Sequence, residues 1–120
     1  MTTPNLTMDE LAASQSQPHV THNTALRILD ALVFLRFAGI AQDTPPADSP
    51  MVAEGTCYDI SNGSPLASGA WAGHDGDVAY YSGGTWLFVT PQEGWLAWDV
   101  TNTSLLVYTS GAWATLVAYP

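Results

Sequence analysis

The chain has 120 residues, a formal net charge of -9, 47% hydrophobic and only 11% charged residues, which is the size and make-up of one domain with a modest core. Arg27 and Arg36 are the only basic side chains against eleven carboxylates, so the surface repels a phosphate backbone and nucleic acid is excluded as an expected partner. The single cysteine, Cys57, forms no intramolecular disulfide and makes no zinc site by itself.

Residues 1–23 are rich in Thr, Ser, Gln and Asn and poor in bulky apolar groups. Such a stretch cannot bury enough surface to offset the entropy of ordering, and it is expected to be an extended docking arm, mobile in the free protein to about residue 20. Its first ten residues have neither the basic nor the apolar region of a secretory signal. The sequons at Asn5, Asn62 and Asn102 are accordingly read as chance matches. His19 and His22 stand three apart, a spacing that lets two imidazoles share a metal on one helical turn. No third ligand lies nearby in sequence, and a capping or inter-subunit hydrogen bond is the simpler expectation, so no metal is expected.

From Thr24 to Phe37 apolar residues recur at three- and four-residue spacings, including Leu26, Leu29, Leu32, Val33 and Phe37. This predicts an amphipathic helix, capped by Thr21 or Asn23 and closed near Gly39, within a segment 24–40. The apolar stripe is wide for one small sheet to cover, so these residues, with His19 and His22, are the expected oligomer and docking contacts. The stretch is too short and too charged to span a bilayer, and no membrane insertion is expected. Residues 41–56, with Thr44-Pro-Pro46 and Ser49-Pro50, read as a linker.

All five tryptophans and all five tyrosines follow, spaced by Gly and Ser. Residues 57–120 therefore read as an aromatic-rich antiparallel β module. Val78–Tyr81 and Trp86–Val89 flank a Gly-Gly turn, and Leu105–Tyr108 and Trp113–Leu116 flank a Ser-Gly turn, so each pair is an expected hairpin. The fold expected is α+β, mostly β: an arm, one helix and a small antiparallel meander. Gly73-His-Asp-Gly-Asp77 holds too few ligands for calcium and is expected to be a turn with solvated acids. Cys57 and the serines lack a nucleophile elbow, and Asp75, Asp77, Glu93 and Asp99 declare no glycosidase pair. No catalytic residue or cofactor is expected, and an enzyme is not. Trp95 and Trp98 point to opposite faces of a regular strand, so one faces outward. Trp71, Trp95 and Trp98 are the candidates for stacking on a glycan.

Ala12–Gln17, His19-Val-Thr-His-Asn23, Ala25-Leu-Arg27 and Leu29–Val33, followed by Gly69-Ala-Trp-Ala-Gly73, Gly94-Trp-Leu-Ala-Trp98 and Gly111-Ala-Trp113, resemble a family of small virion proteins of tailed bacteriophages and gene transfer agents, itself of unknown function. The resemblance covers most of residues 11–113. It implies a virion location and a structural role in a head spike, fibre or tail appendage. The expected protein docks on other virion proteins by its N-terminal part and projects a β module toward host surface polysaccharide. It is expected to be a homo-oligomer, a trimer or, at a fivefold vertex, a pentamer. A free-standing carbohydrate-binding module and a capsid-decorating cement protein are the alternatives.

Overall fold

The computed structural model describes residues 2–11, 18–46 and 52–120. The architecture is α+β and mostly β: a helix α1 (Pro18–Leu32) against one seven-stranded sheet. The strands are β1 (Arg36–Gln42), β2 (Cys57–Ile60), β3 (Val78–Ser82), β4 (Thr85–Val89), β5 (Leu96–Asp99), β6 (Ser104–Thr109) and β7 (Ala112–Ala118). Their order across the sheet is β4-β3-β2-β1-β5-β6-β7. Two antiparallel meanders, β2–β4 and β5–β7, are joined by β1, which pairs in parallel with β2 and with β5.

Both expected hairpins are present. Ser82 pairs with Thr85 and Thr109 with Ala112, leaving two-residue turns whose residues, Gly83-Gly84 and Ser110-Gly111, all have positive φ. That backbone matches the twist of the flanking strands, which is why Gly dominates there.

The helix differs from expectation at both ends. It starts at Pro18, six residues early, because a proline in the first turn lacks only an N–H that would be unpaired there anyway. It stops at Leu32, and residues 36–42, expected to be helix or linker, form the central strand. Leu35 and Phe37 sustain the apolar periodicity across the boundary because both face the core from extended chain. Gly39 is thus a strand residue and not a cap. A Cβ there would meet the Gln42 side chain and the Tyr58 ring.

Residues 2–11 are not a detached arm. Thr3 is fully buried, Thr2 bridges to Asp9, and Asn23 on α1 both donates to and accepts from the backbone of Leu11 at 2.9 and 2.8 Å. Arg27 reaches Glu10 at 2.9 Å. The composition argument failed because these polar residues dock through hydrogen bonds to α1, not through apolar area. Residues 12–17 of the expected arm and 47–51 of the expected linker lie outside the described residues.

Strand register sorts the side chains. Phe37, Cys57, Val78, Tyr80, Ala97 and Leu106 face α1 and make the main core with Ala31 and Leu35. On the opposite face Ile60, Ala79, Tyr58, Trp86 and Phe88 are covered by the 61–77 loop, whose short 3-10 turn Gly69–Trp71 inserts Trp71.

Candidate functional site

Among the described residues, several groups able to carry chemistry help to hold the fold. Cys57 is buried, and that burial pushes its thiol up to about 12, far from the thiolate a nucleophile needs. Burial likewise pushes Asp59 up to about 6, against the N–H that Ala41 donates at 3.0 Å. His74 stacks on Phe88 at 3.5 Å between ring centroids and pairs with Asp77 at 3.1 Å, while Thr90 donates to the other Asp77 oxygen. Asp75 accepts from the Ala67 N–H, and Asp99 accepts from Asn102 and the Thr101 N–H. The Gly73–Asp77 segment is a turn as expected, with Asp75 exposed and Asp77 half-buried, both also bonded to neighbouring segments.

The expected site residues divide. Leu29 and Val33 lie outward on and just beyond α1, about half exposed, with Leu26 and Leu32 half-buried beside them and His22 exposed. The His19 side chain lies outside the described residues. Phe37 is fully buried and meets Trp113 edge-to-face at 5.1 Å, so it is a core residue and no docking contact. Strand alternation, which replaces helix there, turns it inward. Trp71 is also 0% exposed, packed against Tyr58 and Trp86, and cannot stack on a sugar. Trp95 and Trp98 are half-buried, and Trp95 sits toward the helix side with Leu32, Val33 and Leu35.

Trp98 belongs to the feature that stands out. On the face of the sheet away from α1, the 61–77 loop covers β2–β4, and among the described residues nothing covers β1 and β5–β7. Register places Arg36, Trp98, Leu105 and Val117 in one row across these strands, and Leu96, Val107 and Ala114 in the next. Val33 and Phe34, the latter 75% exposed, continue this surface around a groove of about 480 Å3 floored by Leu96, Trp98 and Leu105. Solvated faces of antiparallel sheets ordinarily alternate to polar residues, and this one does not.

The bare face carries one charge of each sign. Arg36 is exposed and, among the described residues, pairs with no carboxylate. Glu93 lies at the other end, where it accepts from the Thr109 hydroxyl at 2.6 Å and from the Ser110 N–H at 3.2 Å. Sequence reasoning placed Leu105 and Val107 in a strand and gave neither an outward-facing role. The signal was there in Leu105-Leu-Val, which leaves no polar residue for an outward side.

Residues 22–114 match the model of a family described as a protein of unknown function (DUF2793), and the chain belongs to that family. No curated protein and no solved structure matches the chain.

Proposed function

We propose that this member of the DUF2793 family is a non-catalytic structural subunit of a phage-like virion, a spike or fibre component that associates with itself and with other particle proteins and projects its β module toward the host surface. The observation that carries the structural reading is the contiguous apolar face of β1 and β5–β7 with Phe34. A contiguous apolar patch on so charge-poor a surface fits a contact between proteins. The virion setting is supported by the motif resemblance of residues 12–33 and 69–113. The domain's acidity also suits a particle packed with DNA, because it limits adhesion to the nucleic acid.

The test is to locate the chain in density maps of intact particles. Copies ordered at a vertex, on the shell or at the tail tip support the reading and separate spike, cement and tail positions; a chain absent from purified particles overturns it.

A glycan contact remains the second reading, favoured by the partly exposed rings of Trp95 and Trp98. Under it, Trp98→Ala weakens adsorption to host cells or their polysaccharide while the thermal midpoint stays close to wild type. Unchanged adsorption for both the Trp95→Ala and Trp98→Ala variants would make the module a connector.

A further inference from the structure

We infer that the bare face of β1 and β5–β7 is the seat of a second copy of this chain, docked face to face about a two-fold axis that lies in the interface oblique to the strands, with Arg36 of each copy set against Glu93 of the other. This deepens the structural-subunit reading and rests on it for its setting, although the geometry stands by itself.

The positions of the charges single out the occupant. Arg36 lies level with Trp98 and Leu105, whereas Glu93 is tied to Thr109, four residues along β6. Leu105, Val107 and Thr109 alternate onto the same face, so cation and carboxylate sit at opposite ends of one apolar strip. Four residues of strand span roughly 13 Å. Arg36 stands on β1 and Glu93 beside β6, offset across the sheet as well as along the strands, so the two-fold axis that brings each Arg36 over the other copy's Glu93 lies in the interface oblique to the strands and passes by Leu96 on the intervening strand β5. Both ion pairs then form from one operation, as an isologous interface requires, and Leu96 of the two copies meets near the centre with Val107 beside it. Sheets packed in this way lie about 10 Å apart, within reach of interdigitating Leu and Val side chains.

Other occupants fit less well. An acidic partner meets Glu93, a basic one meets Arg36, and a nucleic acid meets a chain of net charge -9. The chain itself presents the opposite sign at each end.

The affinity follows from the extent of the face. Four strands by about five residues make a strip of roughly 20 by 15 Å. Even with Val33 and Phe34 at its margin this falls below the standard interface of about 800 Å2 per partner. The pair is therefore expected to assemble in the micromolar range, and to weaken as salt screens its two exposed ion pairs.

Sedimentation equilibrium of the full chain from about 5 to about 500 µM tests this, since weak interfaces populate that range. A monomer–dimer equilibrium is expected. Leu96→Glu should abolish it. Arg36→Glu and Glu93→Arg should each weaken it at least about tenfold by setting like charges together, and the double swap should restore most of the loss. Near-ultraviolet circular dichroism on each variant reports folding, and Leu96→Glu, which leaves the Glu93 turn intact, remains informative if Glu93→Arg misfolds. A chain monomeric at the highest concentration overturns the inference, as do a three-copy assembly, a dimer untouched by Leu96→Glu, or a well-folded double swap that restores nothing. Particle localisation is read separately: a dimer missing from particles defeats only the virion setting, and a monomer found in particles defeats only this interface.

Discussion

At Asp30 a fully buried carboxylate ties three parts of the chain together. It accepts from the Tyr80 hydroxyl at 2.7 Å, from the Asn5 N–H at 2.8 Å and from the Leu6 N–H. Burial alone raises this carboxyl, but the bonds from Tyr80, Leu6, Thr3 and Asn5 together outweigh it and hold Asp30 below its ordinary value. A lowered carboxyl contributes stability that is present above its unfolded value of 3.8 and is lost as pH falls through the folded one. Asp30→Asn should therefore cost about 2–4 kcal/mol at neutral pH, because an amide N–H2 confronts donors that need an acceptor. Denaturant titration should show that gap narrowing in acid. Asp59 behaves oppositely. Raised by burial to about 6 from 3.8, it adds stability that is full below about pH 4 and disappears as pH climbs through 6. Asp59→Asn should gain about 1–3 kcal/mol at pH 7.5 and nothing at pH 4, its amide oxygen still accepting the Ala41 N–H.

Among the elements, β4 and β7 are the two edges of the sheet, and β7 is the more exposed. Seven residues without a charge leave one side unpaired, and Leu116 and Val117 are more than half exposed. Such an edge invites strand addition unless a charge or proline blunts it. Leu116→Lys, at the irregularity opposite Leu105 and Leu106, should raise the concentration at which the protein precipitates while shifting stability by about 0.5 kcal/mol or less. Static light scattering and a thermal melt check both. Legibility varied in the same way from element to element. The β3–β4 and β6–β7 hairpins could be read from Gly83-Gly84 and Ser110-Gly111 because a tight turn is a local requirement. The α1–β1 boundary could not, since Leu29, Leu32, Leu35 and Phe37 satisfy helical and extended patterns alike, and only pairing with distant Cys57 and Asp99 decides for strand.

For the whole molecule, the mostly β class was legible from aromatic content after Pro50, whereas the bare face was not. Sequence alternation says which residues share a side but not which side a loop will cover. Trp71 shows this most clearly: it resembles a surface aromatic in its Gly-Ala-Trp context, yet it plugs the loop over β2–β4. The lead to self-association came from the helix stripe, and the structure adds a second apolar surface on the other side of the sheet. The position of β1 also sets a timetable. Its parallel partner β5 is synthesised about sixty residues later, and joining such distant segments incurs the loop-closure entropy that makes non-local topologies slow. On a ribosome the β3–β4 hairpin can form early, but the core remains open until Ala97 and Leu106 have emerged. Refolding on the millisecond-to-second scale is expected, with Phe37→Leu, at the seam between the halves, slowing refolding more than Val89→Ala at the β4 edge. Stopped-flow fluorescence of the tryptophans would show it, and a nascent chain halted before β5 would expose β1 to whatever chaperone attends it.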